Sequence, residues 1–442
     1  AYTLGLKKRF GGDELGGIVL LKHAIELDPN FAMAYARTGI AYWNLQDQKD
    51  AEFYAKQAYE RVDRVSEPEK YYILTEYDNI VTGNDPKLIE EYQLWLQSYP
   101  RDSVAMVNLA VQYFFDGKYE KTLEWLKKSH EIDSSTVYTW AHLIEAYTLL
   151  GRYDEAHDVA KQAIARGYDL PYFHADILAI DVAQHDSAAI QAELTWLSQH
   201  KPDSFVAAWL TEYAAARGKL AESESIARKS ADQARSDGLQ GSAADQLAFG
   251  ANMLALNGDT ARAKQLVKEA AKLSSDQRTV SDMALASAMI GDFPQAHALF
   301  DPLVKAYPEN TVFKFWMGPQ IRALEAIQHH DGKAAVAALD GAHDLDLAYA
   351  MQLIFVRGLA YLAANDAHSA VAEFQKIIDH PGIEAPHPNH ALAHFYQARA
   401  YAMSGDTAKA RTAYQDFLAL MKDADKGVPV VEQAQAEYAK LK

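Results

Sequence analysis

The chain has 442 residues, 49% apolar and 23% charged, with 43 Lys and Arg against 60 Asp and Glu for a formal charge of −17. This composition excludes wholesale disorder, and the acidic balance argues against a general nucleic-acid binder. With no cysteine, disulfides, thiolate catalysis, iron–sulfur clusters and cysteine zinc sites are removed, and no apolar run reaches the ~18 residues that span a bilayer.

In chain order, the first helical pattern opens at Ala1 without a polar cap, a Met or an apolar leader, so the chain reads as a fragment or a processed product. Lys7, Lys8 and Arg9 form a basic cluster too short to overturn the charge argument. Leu4, Gly5, Gly17, Leu21 and Ala24 fall at helical spacing and stop at Asp28-Pro29-Asn30; Tyr35, Gly39 and Tyr42 precede Ala51, Ala55 and Ala58. Ser66 and Glu69 frame a capping box with Pro68 in the first turn. The unit that follows, to residue 100, carries Tyr71, Tyr72, Tyr77, Tyr92 and Trp95 where small residues are expected. Leu109, Ala110 and Tyr113 lead to Gly117. Trp140, Leu143 and Tyr147 lead to Gly151, then Ala156, Ala160 and Ala163. Gly258, Gly291 and Gly405 stand five residues before Ala263, Ala296 and Ala410, and Pro29, Pro100, Pro202 and Pro308 end second helices. Residues 235–242 and 380–389 read as a soft spot and an ordered loop, and Pro429–Lys442 as a helix covering the last repeat.

A large residue, a leucine and a tyrosine on one helix, a glycine turn, then alanines on the next helix resemble the tetratricopeptide repeat. The fold expected is all-α: an α-solenoid, a right-handed superhelix of about twelve such helix pairs plus a C-terminal helix. It is expected to run as a single body over 1–442, with a bend near 235–242. Tyr2–Lys8, His23–Tyr35, Tyr99–Asp102, Phe374–Ile383 and Tyr414–Asp425 also resemble the C-terminal repeat region of large bacterial, notably acidobacterial, serine/threonine kinases and winged-helix regulators. That resemblance implies a sensor or docking region of a larger signalling protein, extracytoplasmic where an upstream membrane helix precedes the repeats and cytoplasmic otherwise. It carries over no catalytic residue. Gly291-Asp-Phe293-Pro294 is a repeat turn, not a kinase metal motif, so no enzyme activity and no cofactor are expected.

His380, His387, His390 and His394 crowd together, the last two at i,i+4 spacing, but without the glutamate of a zinc-hydrolase helix. Loop and cap structure accounts for them more simply than a metal site. His329-His330-Asp331 suits a helix end, and Gly11-Gly12 and Gly16-Gly17 suit a helix-pair turn. Repeat geometry turns Trp43, Phe114, Tyr138, Phe355, Phe395 and Arg399 toward the inside of the superhelix. The inner positions are mostly apolar or aromatic, unlike the lysines and asparagines of modules that clamp a terminal carboxylate. Two readings stay open: a groove for a protein or peptide partner, or side chains buried by neighbouring repeats. Head-to-tail self-assembly through the uncapped first repeat is the alternative function.

Overall fold

The computed structural model describes residues 1–384 and 386–441, and every regular element among them is helical. α1 (Tyr2–Phe10) pairs with α2 (Glu14–Leu27), α3 (Ala32–Asn44) with α4 (Gln48–Tyr59), α5 (Glu67–Tyr77) with α6 (Asp85–Ser98), α7 (Ser103–Phe115) with α8 (Tyr119–Ile132), and α9 (Val137–Leu149) with α10 (Tyr153–Ala165). The series continues with α11 (Pro171–Ala183) and α12 (Ser187–Ser198), α13 (Ser204–Ala216) and α14 (Leu220–Ser236), α15 (Gln240–Leu256) and α16 (Thr260–Ala270), and α17 (Gln277–Met289) and α18 (Phe293–Ala306). After α19 (Gly318–Gln328) with α20 (Gly332–Ala338) and α21 (Gln352–Ala363) with α22 (Ala367–Ile378) come the single-turn α23 (Pro381–Glu384), the pair α24 (Pro388–Met403) and α25 (Thr407–Leu420), and the closing α26 (Pro429–Lys440).

Among the described residues the chain is thus an array of twelve antiparallel helix pairs with a C-terminal helix. The stretch 380–389 differs from the loop expected of it. It holds a helical turn and the start of α24, because Pro381 and Pro388 occupy first-turn positions where a missing N–H is harmless. Ala385 of that stretch lies outside the described residues.

Each pair is built by the same local chemistry. The first helix ends on a residue in the left-handed region, often glycine (Gly151 φ 69, Gly258 φ 82, Gly405 φ 81) and elsewhere Gln46, His185, His330 or Asn365. An aspartate then commonly caps the second helix. Asp259 accepts from the Arg262 N–H at 3.1 Å, Asp366 from Ser369 at 3.1 Å and Asp406 from Lys409 at 3.1 Å. Alanines on the second helices (Ala51, Ala55, Ala156, Ala160, Ala163, Ala263) are buried and let the pairs pack closely. The Ser66 capping box forms, with the Ser66 N–H donating to Glu69 at 3.0 Å.

The array coils back on itself. The turns that join the helices of early pairs touch the starts of helices far along the chain. Asp47 accepts from the Gly241 N–H at 3.1 Å, 194 residues away, and Gln246 donates to Gln46 at 2.8 Å. Gln277 donates to the Ile80 carbonyl at 3.0 Å, and the Thr311 N–H to the Gly83 carbonyl at 2.8 Å. Tyr119 donates to the Leu347 carbonyl at 2.6 Å, 228 residues away. Glycine makes one such approach possible: a Cβ on Gly117 would fall 2.8 Å from the Ala348 nitrogen. One coil therefore seats the next through backbone and side-chain hydrogen bonds.

Candidate functional site

Inside the first coil, α1, α3, α5, α7 and α9 surround a cavity of ≈ 240 Å³. One side of it is charged. Arg9 ends α1 and is 3% exposed; it reaches inward because Gly17 on α2 has no Cβ, whose place lies 2.4 Å from the Arg9 Cγ. Its Nε donates to Glu14 Oε2 at 2.5 Å and its Nη2 to Oε1 at 3.3 Å. Burial opposes the charge on Arg9, but the adjacent Glu14 carboxylate outweighs it and raises the pKa above the ordinary value. Glu14 also accepts from Asn44 at 2.6 Å and from the Tyr138 hydroxyl. This last bond closes the ring from α9 back to α2, and burial followed by the Glu14 charge pushes the Tyr138 phenol well up.

Arg37 on α3 lies over the Tyr72 ring, 3.9 Å from its centroid. Glu76, 2% exposed, faces both arginines; burial pushes its carboxyl up to about 7 against the opposing pull of Arg37 and Arg9. Three buried atoms here have no hydrogen-bond partner: Nη1 of Arg9, Nε of Arg37 and Oε2 of Glu76. Native interiors leave few such groups unpaired. Ile40, Trp43, Val107, Val111 and Phe115 supply apolar lining, interspersed with Asn79, Asn108, Gln112 and Asp133. Such a chamber can hold a group that carries both negative charge and hydrocarbon.

The structure brings Trp43 and Tyr138 together at this chamber. Phe114 stands behind the wall, packed edge-on against Phe115 and Tyr119, and Phe115, 39% exposed, takes the lining position. Phe355 and Phe395 are core residues at 3% and 0% exposure. Arg399 is held by Glu437 (Nε 2.9 Å, Nη2 2.6 Å), tying α24 to α26. Arg9, Arg37 and Glu76 were not anticipated as a site. The one local signal was Glu14 five residues after Arg9, beside the Gly16-Gly17 pair.

A second cavity of ≈ 280 Å³ is lined by His185, His387 and His390, with Arg217 and Lys422 also on its walls. Burial pushes His387 down to about 3 and His390 down to about 4. The His387 Nδ1 accepts from the Asn389 N–H at 3.1 Å, a capping role. His380 is apart from them, its Nδ1 at 2.7 Å from the Lys376 carbonyl. Among the described residues no group of three or more His, Cys, Asp or Glu is arranged to hold a metal ion.

A tetratricopeptide repeat model matches residues 391–416, the span of the α24–α25 pair. No curated protein matches the chain. Among solved structures, a chain of the APC/C hetero-tetramer Cut9–Hcn1 is similar at 13% identity and a TM-score of 0.45, covering 96% of this chain and 83% of that one. The tetratricopeptide domain of P58(IPK) is similar at 13% identity and a TM-score of 0.26, covering 85% and 98%. The chain is a helical-repeat protein that carries a tetratricopeptide repeat at residues 391–416.

Proposed function

We propose that this chain is a non-enzymatic scaffold for a protein or peptide partner, working as one superhelical body and serving as the sensing or docking region of a larger bacterial signalling protein. Tetratricopeptide repeats generally act as protein–protein interaction scaffolds. The observation that carries the reading is the inner wall of the first coil, where Trp43, Phe115 and Tyr138 remain partly accessible beside an open chamber. Large aromatic side chains at a concave surface are the usual anchors of partner recognition.

Head-to-tail self-assembly draws little support from the ends of the array. Leu4 and Val19 present apolar surface at the N-terminal end, 59% and 68% exposed. At the other end α26 turns Glu432, Gln433 and Gln435 outward. An apolar face meeting a polar one lacks the complementarity that a heterologous contact needs.

The test is capture of protein partners by the immobilised chain, comparing wild type with Trp43→Gln/Phe115→Gln and with Phe53→Gln, a control on the exposed side of α4. Partners should be lost from the inner-wall variant alone. Equal capture by a folded inner-wall variant, or equal loss in the control, would contradict the reading.

A further inference from the structure

The chamber's lining, two guanidinium groups beside a set of apolar side chains, describes a ligand. We propose that the chamber binds a small organic anion, a monocarboxylate with an apolar body, whose carboxylate sits against Nη1 of Arg9 and Nε of Arg37 and whose body lies along Trp43, Val107 and Val111. The inference rests on the reading of this inner face as the working surface and names the chemistry it takes.

The charge argument excludes most alternatives. Glu14 is already engaged by Arg9, Asn44 and Tyr138, and although Glu76 and Asp133 also line the chamber, a cation beside Glu76 would face the two guanidinium groups that flank it. The unpartnered N–H groups of Arg9 and Arg37 are donors, and a carboxylate supplies two acceptor oxygens with which guanidinium bonds are strongest. An inorganic anion would satisfy those donors but leave Ile40, Val107, Val111 and Trp43 facing water. A purely apolar guest would do the reverse. At ≈ 240 Å³ the chamber is a little smaller than the usual ligand pocket, which limits the guest to a small one.

Glu76 fits the same ligand. The groups that face it are Arg9 from α1, Arg37 from α3, Tyr72 from its own helix and Tyr92 from α6. Near neutral pH its carboxyl holds a proton part of the time, and an incoming anion favours the protonated form. Binding should therefore take up a proton and tighten as pH falls through neutrality.

The purified chain is titrated with octanoate and with octanamide, followed by calorimetry at two pH values either side of neutrality. Octanoate should bind saturably at one site, about tenfold or more tighter than the amide, and more tightly at the lower pH. Arg37→Gln should weaken it by about tenfold or more. Val107→Trp, which places a bulky side chain at an apolar lining position, should abolish it even if Arg37→Gln does not fold. No saturable octanoate binding, equal binding of the amide, or undiminished binding to Arg37→Gln or Val107→Trp would overturn the inference. If octanoate fails while the inner-wall variants still lose their protein partner, this inference falls alone. If octanoate binds while partner capture ignores those variants, the docking reading falls instead.

Discussion

A carboxyl at 2% exposure between two guanidinium groups, as Glu76 is, is pulled in opposite directions. Burial wins and raises it to about 7. The sign follows from proton counting: between the unfolded value near 4.5 and about 7 the folded chain holds a proton that the unfolded chain has lost. Stability contributed by that proton is complete below the lower value and is lost as pH rises through the upper one. Glu76→Gln removes this dependence. Urea unfolding of wild type and variant should show the difference moving in favour of the variant between about pH 5 and about pH 8, by up to roughly 3 kcal/mol. Parallel stability profiles would show that Glu76 titrates normally. At this scale the sequence is a partial guide. Trp43 and Tyr138 are legible as inner-face residues because helical spacing alone turns them inward. Repeat spacing selects Phe114, whereas the adjacent and chemically alike Phe115, one residue further round the helix, takes the lining position. Arg37 and Glu76 meet through space, across separate helix pairs, and nothing local marks them.

The helix pair was legible almost throughout, because most of them repeat a short instruction: a left-handed residue, often an aspartate cap, and alanines on the second helix. Where the sequence lacks glycine the instruction persists, as at Gln46-Asp47 and Asn365-Asp366, where a side chain tolerates φ near 60 and 58. What a single pair does not reveal is which of its turns carries a second duty. Gly117 and Gly151 have the same backbone form, φ 72 and 69, but a Cβ at Gly117 meets the backbone of residues 347–348, whereas Gly151 has nothing within 4 Å. Alanine at Gly151 should cost about 1 kcal/mol from the conformation alone. Alanine at Gly117 should cost a further 1–3 kcal/mol or so from overpacking, read as the difference in urea midpoints at constant slope. Equal costs would mean the two coils do not press on each other there. Opposite Gly117, Tyr349, Ala350 and Met351 run through the left-handed region in succession (φ 48, 53, 47), a conformation that costs each residue free energy. Tyr349 is held there by stacking on Phe115 of the chamber wall and by Trp316. The segment has no sequence signal because its conformation is imposed by what it packs against.

Across the whole molecule, repeat spacing predicts neighbours in sequence and says nothing of neighbours one coil away. Contact between coils depends on a small rotation added at every pair, and that sum is fixed by packing details no motif records. Hence the array of pairs was legible while the bonds from Asp47 to Gly241, Tyr119 to Leu347 and Gly218 to Asp425 were not. The Asp47 and Tyr119 bonds tie the first coil, which holds the chamber, to later parts of the array. An open solenoid would breathe along its length and vary the chamber's shape.

The seating of one coil on the next can be measured directly, because the chain has no native cysteine and two introduced thiols can be spin-labelled without side reactions. Arg217 and Asp423 pair across the coils at 3.7 Å and are partly solvent-accessible. Replaced by cysteine and labelled, they should give a single short and narrow distance distribution by pulsed electron paramagnetic resonance, unchanged when octanoate is added. A broad or long distribution would mean that the coils stand apart, and the one-body account would be wrong.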